Sequence, residues 1–335
     1  MLAAIYGLSG PTLTDSERAF FRDADPAGYI LFARNIVDKD QLRALTADLR
    51  SLHGRDDLPI LIDQEGGRVA RMRPPVWPAF PAPGAPFDRL YEIAPMSAIE
   101  AMRANAESLA LMLHEVGISV NCLPLLDVRQ PGAHDIIGDR SFGSDPMRVA
   151  ALGRATLDGL AAGGCVGVVK HMPGHGRATS DSHLELPVVN ATDEELAIDL
   201  EPFAKLRDAP MGMTAHVVYT AWDADAPATM SSHVIDAIIR RRIGFDGLLM
   251  SDDIDMKALS GTPGEKAATA VGAGCDVALD CWGRIDDMID IANNVGDLTA
   301  KGVDRLAAAM ATAKVPDPAR VADLVAKRDA LLALA

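Results

Sequence analysis

The sequence lacks the marks of several large protein classes. Its four cysteines, Cys122, Cys165, Cys275 and Cys281, form no C-x-x-C pair and lie mostly in apolar runs, which favours buried free thiols over disulfides or a zinc site. No stretch approaches the ~18 apolar residues of a membrane span. The N-terminus has no basic segment before a long apolar run, as a signal peptide would. We therefore expect a cytoplasmic protein that makes no membrane contact.

Basic charge is also in short supply. Lys and Arg number 32 against 47 Asp and Glu, so the formal net charge is −15. Nucleic-acid surfaces need a basic patch, and we therefore expect no nucleic-acid partner. No G-x-G-x-x-G phosphate loop occurs, which disfavours a doubly wound dinucleotide-binding sheet. The 49% hydrophobic and 24% charged content is that of an ordinary globular protein with a large core.

What the chain does contain is a regular alternation of short apolar runs and helical patterns. Eight runs have the length of a buried strand, at 2–6, 28–33, 58–62, 118–122, 166–169, 211–215, 247–250 and 276–279. Helical patterns follow them at 15–22, 39–52, 97–116, 146–162, 192–207, 232–242, 264–271 and 284–295, with two more at 302–312 and 318–334. Eight βα units predict an α/β fold, a single-domain TIM (β/α)8 barrel over residues 1–335 with C-terminal helices. A doubly wound sheet is the alternative, and the proline-rich stretch 74–86 is predicted to be a surface loop.

One unusually long loop follows the fifth predicted strand. The stretch 166–187, VGVVKHMPGHGRATSDSHLELP, begins as a buried strand, and Lys170 then opens about twenty residues punctuated by Gly and Pro. A capping box formed by Thr192 and Glu195 starts the next helix. Loops of this length inside compact domains are usually functional. This one contains Asp181 and three of the eight histidines, His171, His175 and His183.

Ionisable residues also follow most of the other predicted strands. In TIM barrels the catalytic groups lie where strands end and βα loops begin. The residues in question are Arg34 after the second strand, Asp63 and Glu65 after the third, Asp127 to Arg140 after the fourth, Lys170 and His171 after the fifth, His216 after the sixth, and Asp252 and Asp253 after the seventh. For Glu65, Asp127 and Asp253, a structural salt bridge is an equal alternative.

These residue types fit cleavage of a glycosidic bond. That reaction needs a carboxylate on one face of the sugar and a proton donor at the leaving oxygen. Histidine suits the donor role because its ordinary pKa lies near neutrality, and Asp181 is spaced to orient the imidazole of His183. A zinc site built from His171, His175, Asp181 and His183 is the competing interpretation. Its spacing matches no recognised ligand pattern, so we expect no metal.

Four segments carry a family resemblance: IDQEGGRVAR (62–71), GDRSFG (138–143), KHMPGHG…DSH (170–183) and MSDDIDM (250–256). In this order they resemble family 3 glycoside hydrolases, and more narrowly the single-domain bacterial β-N-acetylglucosaminidases (β-hexosaminidases) of peptidoglycan recycling. The resemblance implies a TIM barrel and a retaining mechanism with Asp252 as the nucleophile. It also implies His183 as the acid/base, with Asp181 as its partner. Strand alternation alone does not separate Asp252 from Asp253.

The resemblance also implies a substrate. It assigns binding of the non-reducing N-acetylglucosamine to Asp63, Arg71, Arg140, Lys170 and His171. The expected substrates are small carbohydrates, N-acetylglucosaminyl-anhydro-N-acetylmuramyl peptides, cleaved in the cytoplasm by a monomer without metal or cofactor. A phosphorylase of the same fold is the alternative, since a histidine acid/base would not repel an incoming phosphate anion. One departure from the family pattern lies in the long loop, where Arg177 stands at a position that an acid often occupies.

Overall fold

The computed structural model describes residues 1–182 and 184–335, so the predicted acid/base His183 lies outside the described residues. The strands in chain order are β1 (Leu2–Gly7), β2 (Pro26–Leu31), β3 (Ile60–Ile62), β4 (Val120–Asn121), β5 (Val166–Met172), β6 (Val188–Val189), β7 (Met211–Thr214), β8 (Val218–Tyr219), β9 (Leu248–Asp253) and β10 (Val277–Asp280). Within the described chain, all but β6 and β8 form a closed parallel barrel in sequence order, in which β10 pairs with β1. The predicted TIM barrel is confirmed.

Helices follow the barrel strands as the alternating pattern predicts. They are α1 (Asp15–Ala24), α2 (Lys39–His53), α3 (Ala85–Ile93), α4 (Pro95–Glu115), α5 (Pro146–Ala162), α6 (Asp193–Lys205), α7 (Pro263–Ala273), α8 (Ile285–Asn294), α9 (Ala300–Met310) and α10 (Val321–Leu332), with a π-type helix at Val234–Ile243. The predicted capping box of Thr192 and Glu195 starts α6. None of the helices in the described residues is long and apolar enough to cross a membrane.

Helix α3 begins at Ala85, inside the stretch 74–86 that is predicted to be a loop, and the apolar pattern does not predict it. Pro86 lies in the first turn of α3, where its missing N–H costs nothing. Phe87 and Leu90 are spaced by three residues and are both fully buried, which is helical periodicity in its shortest form. The run of prolines before the helix hid that signal.

Strands β5 and β9 both run further than predicted. The apolar pattern of β5 stops at Val169, yet the strand continues through Lys170 and His171 to Met172, which pairs with Thr214. Strand β9 likewise extends to Asp253 instead of ending at Met250. A charged residue inside a barrel strand needs a buried partner, and in both strands the partners come from other parts of the chain. The strands therefore carry their polar ends directly into the site described next.

Candidate active site

A cavity of about 240 Å³ opens among the residues at the carboxyl ends of the barrel strands. Six of the eight predicted site residues line it: Asp63, Arg71, Arg140, Lys170, His171 and Asp252. Asp181 is not among the lining residues, although Ser182 beside it is. Residues after β3 and β4 and at the carboxyl ends of β5 and β9 thus converge on one space, as the barrel geometry requires.

A compact cluster of opposite charges lines part of this cavity. Arg140 donates two hydrogen bonds to Glu65, from Nε to Oε2 and from Nη2 to Oε1, each 2.8 Å long. Lys170 Nζ lies 2.8 Å from Glu65 Oε1 and donates to Asp63 Oδ1 at 3.1 Å. Arg71 Nη2 donates to Asp63 Oδ2 at 3.1 Å. Glu65, for which a structural salt bridge was an equal alternative, therefore joins four predicted sugar-binding residues into one network.

The charges of this cluster stabilise one another. Burial alone would raise the pKa of both carboxyls, but Arg140 and Lys170 lower the pKa of Glu65 to about 2. Lys170 and Arg71 hold the pKa of Asp63 well below its ordinary range. Although burial opposes its charge, the same carboxylates raise the pKa of Lys170. All of these groups therefore stay ionised at neutral pH and present a fixed array of donors and acceptors.

Gln64 shapes the loop that carries Arg71. Its side-chain oxygen accepts hydrogen bonds from the backbone N–H groups of Arg71 and Met72 at 2.8 and 2.9 Å, and its amide nitrogen donates to the Met72 carbonyl at 2.9 Å. Gly66 has a φ of 105°, and a Cβ there would lie 2.1 Å from the Pro81 carbonyl oxygen. The tight turn that follows Glu65 therefore requires glycine, and it returns Arg71 to the cavity.

Asp127 is buried after β4 and holds two histidines, His171 near the end of β5 and His175 after it. Its Oδ2 lies 2.8 Å from His171 Nδ1, while its Oδ1 accepts from the backbone N–H groups of His171 and His175 at 3.1 and 2.7 Å. Although burial raises the pKa of Asp127, His171 and these bonds lower it to about 2. A carboxylate facing Nδ1 places the proton there and leaves Nε2 of His171 available to a ligand.

Asp252 and Asp253 end β9 in different surroundings. Asp252 lines the cavity; burial alone would raise the pKa of this carboxyl, but His171, His216 and a backbone N–H hold it below its ordinary value. Asp253 accepts hydrogen bonds at both oxygens, from Trp282 Nε1 at 3.1 Å and from two backbone N–H groups at 3.2 and 3.3 Å. Burial and the neighbouring Asp252 raise the pKa of Asp253 to about 6. Of the two, Asp252 lines the cavity and has the lower pKa, whereas both oxygens of Asp253 are occupied by hydrogen bonds.

His216, which follows the sixth barrel strand, supports the end of β9. Its Nδ1 lies 2.8 Å from Thr229 Oγ1, and its Nε2 lies 2.9 Å from the Asp253 carbonyl oxygen. A carbonyl only accepts, so Nε2 carries a proton and donates it to this oxygen. His216 therefore positions the backbone next to Asp252.

The loop after β5 is anchored at its centre. The Gly176 carbonyl accepts from the Gln130 N–H at 3.0 Å, and a Cβ at Gly176 would lie 2.0 Å from the Val128 carbonyl oxygen. Arg177 forms an ion pair with the buried carboxylate of Asp199 in α6. Arg177, which departs from the family pattern, therefore connects the loop to helix α6. Gly176 is needed because the loop backbone passes close to Val128.

Sequence reasoning missed the apolar part of the site. Ile30, Met213, Leu279 and Cys281 line the cavity together with the charged residues. They belong to or follow barrel strands that are buried on both faces, and such strands show no alternation that would separate cavity-facing from outward-facing positions.

Among the residues that the structure describes, no three His, Cys, Asp or Glu side chains are grouped as metal ligands. Metal independence stays a prediction.

Residues 5–313 match the family model described as the glycosyl hydrolase family 3 N-terminal domain. The chain belongs to glycosyl hydrolase family 3. Among the relatives that the chain resembles, the beta-hexosaminidase of Bordetella avium is 36% identical over 315 residues, which cover 92% of this chain and 88% of that protein. The beta-hexosaminidase of Aromatoleum aromaticum is 37% identical over 319 residues, with coverage of 93% and 88%.

Solved structures agree with this assignment to family 3. NagZ from Neisseria gonorrhoeae in complex with N-trifluoroacetyl-D-glucosamine superposes with a TM-score of 0.87 at 32% identity, covering 99% of this chain and 97% of that chain. The resemblance to family 3 β-N-acetylglucosaminidases, and with it the expected class of glycoside hydrolase, a β-N-acetylhexosaminidase, is confirmed.

Proposed function

We propose that this family 3 enzyme is a retaining β-N-acetylglucosaminidase that removes the non-reducing N-acetylglucosamine from N-acetylglucosaminyl-anhydro-N-acetylmuramyl peptides in the cytoplasm. The observation that carries the proposal is the position of the ionised Asp252 in the same cavity as the Asp63, Arg71, Arg140 and Lys170 network. The beta-hexosaminidase relatives support the sugar. The muropeptide aglycone follows from the resemblance to peptidoglycan-recycling enzymes.

The charged network is suited to bind one sugar ring through its hydroxyls. Asp63 and His171 Nε2 accept hydrogen bonds, whereas Lys170 and Arg71 donate them, so that neighbouring hydroxyls meet a donor and an acceptor together. Arg140 holds Glu65 and thereby fixes Lys170 between two carboxylates. Because these side chains are already paired and rigid, binding needs little reorganisation.

The first chemical step forms a covalent intermediate. Asp252 Oδ attacks the anomeric carbon while the acid/base, assigned to His183, protonates the departing glycosidic oxygen. Asp181 orients the imidazole and stabilises its charged form. The pKa of Asp252, held below its ordinary value, keeps the nucleophile ionised where the histidine still carries a proton.

The second step releases the sugar. The now neutral His183 accepts a proton from water, the resulting hydroxide attacks the anomeric carbon, and the bond to Asp252 breaks. Two inversions at that carbon leave the product with the β configuration of the substrate. No proton or electron pair is left over, because the imidazole ends the cycle protonated as it began.

Product analysis tests this proposal directly. With an aryl N-acetyl-β-glucosaminide as substrate, whose leaving group has no anomeric centre, proton NMR of the first turnovers should show β-N-acetylglucosamine before mutarotation, at the same rate with or without phosphate. An initial α anomer would contradict retention. N-acetylglucosamine 1-phosphate in phosphate buffer, with a matching loss of free sugar, would identify a phosphorylase instead.

A further inference from the structure

The loop after β10 carries an exposed tryptophan that none of these steps uses. Trp282 is 51% exposed, although burying an indole is strongly favourable. It directly follows Cys281, which lines the cavity. Its indole N–H donates to Asp253 Oδ2 at 3.1 Å. Asp253 is the residue that follows Asp252, the proposed nucleophile. An exposed aromatic ring therefore lies beside the proposed sugar site without forming part of its wall.

The chain on either side of Trp282 is fixed in place. The Cys281 carbonyl accepts a hydrogen bond from Arg34. A Cβ at Gly283 would lie 2.4 Å from the Leu8 carbonyl carbon, so the backbone there packs directly against the end of β1. A side chain carried by such a tightly packed segment of backbone loses little conformational entropy when a ligand binds to it.

The orientation of the indole is fixed as well. The guanidinium carbon of Arg284 lies 5.7 Å from the centre of the Trp282 ring, within cation–π range. Arg284 is itself held by ion pairs with Asp255 and Asp287. Together with the bond from the indole N–H to Asp253, these contacts hold the ring at one edge and place the guanidinium over one of its faces, while the ring remains half exposed.

The cavity is too small to hold both sugar rings of a disaccharide. At about 240 Å³ it is smaller than the ~300–1,000 Å³ pockets that enclose drug-sized ligands. One N-acetylglucosamine ring therefore occupies the cavity, and the ring linked to it lies at the rim. Trp282, next to Cys281 and Asp253, is at that rim.

We propose that Trp282 is a stacking platform for the aglycone sugar, the ring from which N-acetylglucosamine is cleaved. The inference rests on the proposed function, since it assumes a disaccharide with its non-reducing ring in the cavity. A pyranose has an apolar face of C–H groups, and the electron-rich face of an indole attracts such groups while both surfaces are removed from water. Trp282 would thus contribute to selection of sugar-linked over other N-acetylglucosaminides.

Two substrates that differ only in the leaving group test this role. N,N′-diacetylchitobiose has an aglycone ring, whereas N-acetyl-β-glucosaminyl fluoride has none. In Trp282→Ala the ratio of kcat/KM for chitobiose to kcat/KM for the fluoride should fall about tenfold, the usual scale of one aromatic stacking contact. Trp282→Phe, which retains a ring but lacks the N–H donor to Asp253, should keep most of that ratio.

Trp222→Ala is the matched control. Its indole N–H also donates to an aspartate, Asp193 Oδ1 at 2.6 Å, but Trp222 is not among the residues that line the cavity, and its replacement should leave the ratio unchanged. Equal losses on both substrates in Trp282→Ala would show that the indole acts only by positioning Asp253, and no loss on either would show no role; both outcomes overturn the inference. A wild-type enzyme that cleaved neither substrate would overturn the proposed function and this inference with it.

Discussion

At the scale of single residues, Asp252 and Asp253 show how surroundings shift the pKa of the same side chain in opposite directions. They are adjacent and identical in type, yet His171 and His216 help to hold the pKa of Asp252 down while burial raises the pKa of Asp253 to about 6. The groups responsible come from other strands. The motif alone therefore leaves the choice between the two acids open, and the contacts of the folded chain favour Asp252 as the nucleophile.

The role assigned to His183 predicts a dependence on the leaving group. Loss of a general acid typically costs ~10²–10⁴ in rate, but only where the leaving oxygen needs a proton. His183→Ala should therefore cripple cleavage of chitobiose far more than the first step on an aryl N-acetylglucosaminide, whose phenolate departs unaided. Because the same imidazole later activates water, stopped-flow should show a burst of phenolate.

The control for this prediction is Asp252→Ala, which should fail on both substrates because the covalent step itself is removed. Equal losses for His183→Ala on the two substrates, without a burst, would rule out the acid/base assignment. Attention would then turn to His171 or Asp253.

Asp280 predicts an unusual pH dependence of stability. It is 2% exposed with no hydrogen-bond partner for Oδ2 in the described chain, and burial and Asp253 raise its pKa to about 7. An unfolded aspartate has a pKa near ~3.9, so between about pH 4 and 7 the unfolded chain loses this proton while the folded chain keeps it. The free energy of unfolding therefore falls as pH rises through that window.

Asp280→Asn removes this titration. The variant should be more stable than the wild type at pH 8, by on the order of 2 kcal/mol, and the gain should be only about a third as large at pH 5. Urea unfolding at the two pH values measures both differences. Asp304→Asn, at an exposed position of α9, is the control and should show the same small difference at each pH. A pH-independent effect of Asp280→Asn would contradict the account.

At the scale of elements, the apolar pattern predicts where β5 and β9 begin better than where they end. The starts of β5 and β9 and the Thr192 cap follow directly from local residue types. Their ends do not, because Lys170 and Asp252 continue their strands only through partners such as Glu65 and His171. The short parallel pair of β6 and β8 was also missed, since two residues per strand give no periodicity.

The close packing of Gly176 against Val128 offers a test of whether this contact positions the loop after β5 for catalysis. Gly176→Ala would place a methyl group 2.0 Å from the Val128 carbonyl oxygen. The backbone of the loop must therefore move away from Val128. A displacement of about 1 Å near the chemistry costs ~100-fold in rate, so kcat on an aryl N-acetylglucosaminide should fall by at least about that factor.

Gly272→Ala, in α7, is the matched control. A Cβ there would meet nothing within 4 Å, so activity should be retained and stability should rise by ~0.5–1 kcal/mol because alanine favours helix. Thermal unfolding followed by circular dichroism separates the two effects. Full activity of Gly176→Ala would show that the close backbone contact does not position the loop.

At the scale of the whole molecule, barrel closure brings residues from Asp63 to Asp252 into one cavity. This convergence was predicted from sequence because parallel strands place all their carboxyl ends at one rim. The apolar lining and the role of Trp282 were not, because they depend on side-chain directions in strands without alternation. We propose that the C-terminal helices belong to the same domain, since Arg328 of α10 donates to the buried Asn105 of α4 at 3.1 Å.

The central claim, that Asp252 forms the covalent intermediate of a retaining glycosidase, is tested most directly by trapping. The enzyme would be incubated with a slow-turnover fluorinated N-acetylglucosaminide, its intact mass measured, and the labelled peptide sequenced by tandem mass spectrometry. We predict one added glycosyl group, attached to Asp252 and absent from Asp252→Ala. A label on Asp253 or any other residue, or turnover of the reagent with no adduct at any time, would contradict it.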